Sequence, residues 1–260
     1  MSGWQLLAAV ALGAIAAAVG TPAGVSGGLL LLPLLLTVFG LNGTVASATN
    51  LVFNIVSTPV GIARQALRGL IDRRLTLLLV ASAAPAAVLG AMVNVFLLGD
   101  SPVFRVMVAG LLGCVAASLL MPRVRPAKAA DELNARTRAS LIVVGVASGM
   151  LGGFYGLGGA VLAAPAALIL TGWPVARVSG AALITTLTVS VTGLITYASL
   201  DVAGRTTVQT PNWPLGLALG AGGLVGGYLG LRFAGWLSDR LLRHALAIMV
   251  ILGAVRLVAF

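Results

Sequence analysis

The sequence GVSGGLLLLP at residues 24–33 recurs as GLGGAVLAAP at residues 156–165, which is 132 residues further along the chain. Each copy interrupts a long apolar run with glycines and ends in a proline. The same offset relates further pairs: Gly40 and Gly172, Ser47 and Ser179, Leu51 and Leu183, Gly61 and Gly193, and Ala66 and Ala198. Duplicated apolar halves that are broken at equivalent places are typical of transporters whose binding site lies where the breaks meet.

The composition indicates an integral membrane protein. Apolar residues make up 59% of the chain, charged residues only 8%, and the mean hydropathy is +1.09. Too little polar surface remains to cover a soluble globule. The runs are continuous and rich in Leu, Ala and Gly, without the alternation of a membrane barrel. Helices are the other way to satisfy backbone groups in lipid, so we predict an all-α polytopic membrane protein.

Eight apolar segments follow from this pattern, and they form two repeats of four. Their approximate ranges are 4–39, 44–63, 75–98, 103–121, 139–170, 176–199, 214–236 and 241–259. The first segment of each repeat is too long for one upright helix and carries the glycine-rich motif, so we predict a broken or re-entrant helix there. The repeats are residues 1–121 and 139–260, and a basic linker, 122–138, joins them.

The distribution of basic residues predicts the orientation. If the two long segments return to the side they entered from, one face receives 13 of the 16 basic residues and the other keeps Arg105, Arg205 and Arg256. The basic loops 64–74 and 122–138 would then be cytoplasmic, and the second repeat would be inverted relative to the first. If those segments cross once, the basic residues divide 11 to 5 between the two faces. This division also obeys the rule that basic residues concentrate on the cytoplasmic side, so this alternative stays open.

The predicted spans lack the clusters of residues that enzymes and metal sites use. The six carboxylates fall in loops or at segment ends: Asp72, Asp100, Asp131, Glu132, Asp201 and Asp239. Cys114 and His244 are single, which excludes a disulfide within the chain and a His-rich metal cluster. We therefore expect no enzymatic activity, cofactor or metal. The net charge of +10 is read as a topology signal and an attraction to anionic lipid, and scattered basic residues do not favour nucleic-acid binding.

The glycine-rich motifs predict an anion site. A helix that begins within the membrane leaves unpaired N–H groups at its positive end, and such an end binds anions. A polar stripe on the following segment adds two amides, which are costly to bury without partners. The candidate substrate-binding residues are Gly24, Ser26, Gly27, Gly28, Asn50, Asn54, Gly156, Gly158, Gly159, Thr185 and Thr186. Tight helix packing through small residues is the alternative explanation of the glycines.

With these residues in place, the chain resembles the TauE/SafE sulfite exporter family. The likeness rests on the break with trailing proline at 24–33, the small-polar span Ser47 to Asn54, the turn Gly69 to Asp72 and the second copy of the motif. Ala160 and Ser26 stand where the family usually has glycine.

The resemblance implies a bacterial cytoplasmic-membrane transporter, most simply an exporter, of sulfite, sulfonates or related small oxyanions. An interior-negative membrane drives anions outward by about 2.3 kcal/mol per charge per 100 mV, so export needs no coupled proton. The alternatives are a passive channel or permease for another small solute, and a membrane-embedded enzyme or assembly partner. The oligomeric state stays open, with a homodimer as one arrangement.

Overall fold

The computed structural model describes residues 3–23, 26–98, 101–120, 133–202, 211–233 and 239–259, and every regular element within them is helical. The α-helices are α1 Gly3–Gly20, α2 Gly28–Thr37, α3 Gly43–Leu67, α4 Arg73–Val93, α5 Pro102–Leu120, α6 Ala135–Tyr155, α7 Ala160–Thr171, α8 Val175–Val202, α9 Trp213–Phe233 and α10 Asp239–Ala259. A short 3-10 turn, Thr21–Ala23, follows α1, and a π-helical turn, Asn94–Leu98, extends α4. The all-α prediction is confirmed for the described residues.

Eight apolar segments were predicted, and each corresponds to one helix or to two consecutive helices. The first segment contains α1 and α2, and the fifth contains α6 and α7. Six helices in the described part of the chain are long and apolar enough to cross a membrane: α1, α3, α4 with its π-helical extension, α6, α8 and α9. The helices α2 and α7 have 10 and 12 residues, which is too short for a full crossing.

The helices pack in matching pairs. Helix α1 packs on α9 as α6 packs on α4, and α3 packs on α9 as α8 packs on α4, while α3 also meets α8 and α5 meets α10. Exchanging α1 to α5 for α6 to α10 in order turns the first two contacts into each other, turns the next two into each other, and leaves the α3–α8 and α5–α10 contacts unchanged.

Individual contacts between α3 and α8 are also reciprocal. A Cβ atom on Gly61 would lie 2.8 Å from Leu183 Cδ1, and one on Gly193 would lie 3.0 Å from Leu51 Cδ1. Gly61 and Gly193 are 132 residues apart, and so are Leu51 and Leu183. The two helices therefore cross with the glycine of each opposite the leucine of the other.

Glycines bring the backbones of the paired helices into contact. A Cβ atom on Gly90 of α4 would overlap with the carbonyl oxygen of Met150 on α6, and one on Gly230 of α9 would overlap with that of Ala18 on α1. Small residues at such positions are how membrane helices approach closely enough to gain packing energy without a hydrophobic driving force. The packing explanation therefore holds for the glycines of α9.

A charged cluster joins the α3–α4 turn to the start of α8. Asp72 caps α4 by accepting a hydrogen bond from the Leu75 N–H at 3.0 Å. Its Oδ2 accepts from Arg177 Nη2 at 2.6 Å and from Arg177 Nε at 3.1 Å. The Arg177 guanidinium lies 3.5 Å from the centre of the Trp173 ring, a distance suited to a cation–π contact. This cluster ties the two halves of the chain together at one end of the helical bundle.

The pKa of Asp72 is lowered. Partial burial acts to raise it, but the hydrogen bonds from the Leu75 and Arg74 backbone and the Arg177 guanidinium outweigh that effect and hold the pKa below its usual 3.8. A carboxylate with a depressed pKa stabilises the fold above its unfolded pKa and loses that contribution as the pH falls through the folded value. At neutral pH the stabilisation is fully present.

Replacing Asp72 should separate its capping role from its charge. We expect Asp72→Ala to lower the free energy of unfolding by about 1 kcal/mol, the usual cost of losing an N-cap. Asp72→Asn should cost less, because asparagine caps as well as aspartate and the Arg177 side chain is 42% exposed. Thermal unfolding of the purified protein in detergent measures both, and equal losses for the two variants would contradict a role in capping.

Candidate functional site

The two places where a helix stops inside an apolar segment lie side by side. The first, between α1 and α2, covers residues 21–27, and the second, between α6 and α7, covers residues 156–159; we call them the first and second interruptions. The Ser26 hydroxyl donates a hydrogen bond to the Leu157 carbonyl oxygen at 3.2 Å, and Ser26 is buried. Residues far apart in sequence thus meet in the interior. Gly24, another candidate of the first interruption, lies outside the described residues.

The second interruption needs glycine for its backbone. Gly156 ends α6 with φ +69° and Gly158 has φ +72°, both in the left-handed region that side chains avoid. Space is also lacking: a Cβ atom on Gly156 would overlap with the Ser47 carbonyl oxygen, and one on Gly158 would overlap with the Thr186 methyl group. The sequence ends α6 here because these glycines allow a turn that no larger residue fits.

The first interruption needs glycine for packing. Gly27 precedes α2 with an ordinary φ of −63°, and its carbonyl oxygen accepts from Leu30 N at 3.0 Å and Leu31 N at 3.3 Å. A Cβ atom on Gly27 would lie 2.7 Å from the Ala16 carbonyl carbon on α1. Gly27 therefore lets the start of α2 rest against the end of α1.

Two asparagines of α3 bridge the interruptions. Asn50 Nδ2 donates to the Gly28 carbonyl oxygen at 2.9 Å, and Asn54 Nδ2 donates to the Gly156 carbonyl oxygen at 3.1 Å. Both side chains are 0% exposed. One turn of α3 thus satisfies a carbonyl at the start of α2 and another at the end of α6. The sequence pattern suggested that the amide donors face a ligand, whereas here they face the backbone.

The oxygen atoms of the same amides have no hydrogen-bond partner. Asn50 Oδ1 and Asn54 Oδ1 are both buried, and both face Gly28. A Cβ atom on Gly28 would lie 2.9 Å from Asn54 Oδ1 and 3.1 Å from both Oδ1 and Nδ2 of Asn50. We call this arrangement, formed by Gly28 and the two amide oxygens, the acceptor pair.

Helix α8 satisfies the start of α7. Thr186 Oγ1 accepts from the Ala160 N–H at 2.9 Å, which is one of the N–H groups that a helix leaves without an internal partner. Thr185 Oγ1 donates to the Ala181 carbonyl oxygen of its own helix at 2.8 Å. A Cβ atom on Gly159 would lie 2.7 Å from the Thr185 methyl group. Thr186 thus contributes a polar contact to the interruption and Thr185 contributes a packing surface.

Comparison with known proteins identifies the family. The model of the family described as Sulfite exporter TauE/SafE matches residues 9–257. The chain belongs to the TauE/SafE family. It is also similar to a probable membrane transporter protein of Xylella fastidiosa, with 29% identity over 241 residues that cover 89% of this chain and 87% of the relative. No solved structure gives a significant match. This TauE/SafE chain is thus a multi-pass membrane protein of a transporter family.

Asn94 is a residue of this TauE/SafE chain that sequence reasoning missed. It lies in the π-helical turn after α4 and is fully buried. Its Nδ2 donates to the Phe154 carbonyl oxygen and, at 3.2 Å, to Ser47 Oγ, while its Oδ1 accepts from Thr44 Oγ1 at 3.2 Å. The available signal was a lone amide near the end of an apolar segment, and π-helical turns often occur at functional sites.

A small cavity lies beside the second interruption. Its volume is about 10 Å³, and it is lined by Ser148, Gly152, Leu157 and Gly158 among others. Ser148 Oγ is buried without a partner there. Such a cavity holds about one water molecule, which is too small for a sulfite ion. A ligand larger than a water molecule could occupy this cavity only if the surrounding helices separated.

The polar groups of the interior are neutral. Among the described residues, those that are buried and polar are Ser, Thr and Asn. An anion between the interruptions would therefore interact with backbone N–H groups, hydroxyls, amides and helix ends, without a buried Arg or Lys from the described part of the TauE/SafE chain. Helix N-termini can supply such binding alone.

Removing the Thr186 hydroxyl should expose its role at the start of α7. We expect Thr186→Val to lower the free energy of unfolding by about 1–3 kcal/mol, because the buried Ala160 N–H loses its acceptor while the side-chain shape is kept. Thr186→Ser retains the acceptor and is the matched control. Thermal unfolding in detergent compares them, and a valine variant as stable as the serine variant would show that Ala160 does not depend on this hydroxyl.

Proposed function

We propose that this chain is a secondary transporter of the cytoplasmic membrane that exports sulfite, sulfonates or related small oxyanions. The observation that carries the proposal is the contact between the two interruptions, at which Ser26 of the first bonds the backbone of the second at 3.2 Å. Helices α2 and α7 both begin at this place, so two positive helix ends lie beside the contact.

The anion would bind between the starts of α2 and α7. A site made of helix ends and neutral donors suits a small oxyanion, because the N–H groups bind its oxygens directly. The candidates on the first interruption are Gly24, Ser26, Gly27 and Gly28, those on the second are Gly156, Gly158 and Gly159, and the flanking helices add Asn50, Asn54, Thr185 and Thr186.

An inverted repeat would explain how access alternates. Residues 1–121 and 139–260 would be the two repeats, and the reciprocal contacts of Gly61 with Leu183 and of Gly193 with Leu51 support this arrangement. Rocking of one repeat against the other would open the interruptions first to one side and then to the other. The basic loops 64–74 and 122–138 would face the cytoplasm, and the membrane potential would then drive anions outward.

Flux measurements test the proposal directly. Purified protein in proteoliposomes is supplied with radiolabelled sulfite, and separately with a small sulfonate, while the membrane potential is clamped at each sign. We expect saturable flux whose direction follows the potential. Flux that does not saturate would indicate a passive channel instead, and absence of flux for both anions at every potential would overturn the proposal.

Bulky substitution at the interruptions should stop transport. Gly158→Leu and Gly27→Leu are expected to abolish flux while the protein still inserts, because their side chains would meet Thr186 and the Ala16 backbone respectively. Gly113→Leu on α5 is the matched control, since no atom lies within 4 Å of a Cβ there. Flux and membrane yield are measured for all three variants, and normal transport by both interruption variants would argue against the site.

A further inference from the structure

We propose that the transported oxyanion carries a single negative charge and a hydrogen-bond donor, as hydrogensulfite does and the sulfite dianion does not. This inference rests on the proposed function, because it concerns the same site. It starts from the acceptor pair, in which two fully buried amide oxygens face Gly28 at the start of α2 and have no hydrogen-bond partner.

The orientation of both amides follows from their other contacts. Each Nδ2 donates to a carbonyl oxygen, that of Gly28 for Asn50 and that of Gly156 for Asn54. Turning either amide around would bring its oxygen against a carbonyl oxygen, leaving two acceptors without a proton between them. Both amide oxygens beside Gly28 are therefore acceptors without a donor, and the Asn50 Nδ2 that lies beside them already donates to the Gly28 carbonyl oxygen.

Buried acceptors without donors are unusual in folded proteins. Here two such acceptors lie close together, 2.9 Å and 3.1 Å from the position of a Cβ on Gly28. This arrangement indicates a site at which a hydrogen-bond donor of a ligand binds. A fully deprotonated oxyanion has only lone pairs to present there and would be repelled. An oxyanion with an O–H group can donate to an amide oxygen while its charged oxygens face the N-terminus of α2.

The charge available at the site also favours a single negative charge. A helix N-terminus is equivalent to roughly half an elementary charge, and the buried polar residues among those described are all neutral. Two helix ends, those of α2 and α7, could thus balance about one negative charge. A dianion would retain an uncompensated charge in a low-dielectric interior, which is strongly unfavourable.

The chemical class follows from both requirements together. It comprises monoanions with an O–H donor, such as hydrogensulfite or a hydroxyl-bearing sulfonate. The closed conformation leaves no room for them beside Gly28, so α2 must move away from α3 as the ligand enters. Position 28 must stay small for this, since a methyl group there would contact both amide oxygens.

Two sulfonates of equal charge and similar size provide the first test. Isethionate carries a terminal hydroxyl where propanesulfonate carries a methyl group. With the full-length protein in proteoliposomes at fixed potential, we expect kcat/KM for isethionate to exceed that for propanesulfonate at least about tenfold, which corresponds to one good hydrogen bond. Equal values, or a preference for propanesulfonate, would overturn the inference.

A variant tests whether the acceptor pair causes the preference for isethionate. Gly28→Ala places a methyl group against both amide oxygens and against Asn50 Nδ2, so a donor on the ligand can no longer reach the oxygens and we expect the two sulfonates to become nearly equal. Gly113→Ala, which adds a methyl group in open space on α5, should keep the preference. A preference that survives unchanged in a transporting Gly28→Ala protein would show that the acceptor pair does not select the donor.

The pH dependence of sulfite flux in the unmodified protein gives a test that needs no variant. At fixed total sulfite and fixed potential, flux should fall about tenfold for each pH unit above the pKa of hydrogensulfite. Isethionate does not titrate in that range, so its flux reports any titration of the protein itself. Sulfite flux that rises with pH, as the fraction of sulfite dianion increases, would overturn the inference.

The isethionate control covers the titratable and charged groups on the helices that surround the acceptor pair. Phenols lie on α6, α8 and α9, and charged side chains occur only towards helix ends among the described elements. These groups are Arg64 on α3, Arg136, Arg138 and Tyr155 on α6, Arg177, Tyr197 and Asp201 on α8, Tyr228 and Arg232 on α9, and Asp239, Arg240, Arg243, His244 and Arg256 on α10.

The outcomes separate the two proposals. If sulfite, isethionate and propanesulfonate all fail to cross, the transporter proposal itself fails. If all three cross with equal efficiency and without dependence on pH, the oxyanion transporter stands and the requirement for a donor is wrong.

Discussion

A membrane interior leaves no free water for the backbone, and the two interruptions place backbone groups there that no helix satisfies. The rest of the structure supplies their partners. Asn54 and Ser26 donate to two carbonyl oxygens of the second interruption, and Thr186 accepts from an N–H at the start of α7. Asn50 adds a bond to the Gly28 carbonyl oxygen in the first turn of α2. The two central helices, α3 and α8, thus carry polar side chains that bond these backbone groups. Glycine contacts between α1 and α9 and between α4 and α6 allow the close helix packing that brings α3 and α8 within hydrogen-bond distance of the interruptions.

The two halves use unequal chemistry for equivalent places. Positions 50 and 54 of the first half are asparagines, whereas positions 182 and 186, at the same offset of 132, are alanine and threonine. The backbone conformations differ at one such pair, because Gly158 has a positive φ while Ser26, at the same offset, does not. Gly27 and Gly159 both have an ordinary φ. Positions related by this offset thus carry different polar groups, although the helices of the two halves pack in matching pairs.

Much of the fold could be predicted from the sequence because apolar length and helix-breaking glycines are local properties. The positions of α2 and α7 followed from the motifs, and the candidate residues Ser26, Asn54 and Gly156 do lie together. The direction of each amide was not predictable, because it depends on which carbonyl lies opposite in three dimensions. Asn94 was missed for the same reason, since its partner Phe154 is distant in sequence. The ion pair of Asp72 with Arg177 likewise joins two turns that no spacing rule connects.

The bond from Asn54 to Gly156 spans 102 residues of sequence, and this has a consequence for how the chain is made. Synthesis delivers α3 to the membrane long before α6 and the second interruption exist. Until then the amide of Asn54 must be hydrated or held by other groups, although it is buried in the finished protein. The first half alone therefore lacks the partner that Asn54 has in the complete chain, and the second half supplies it.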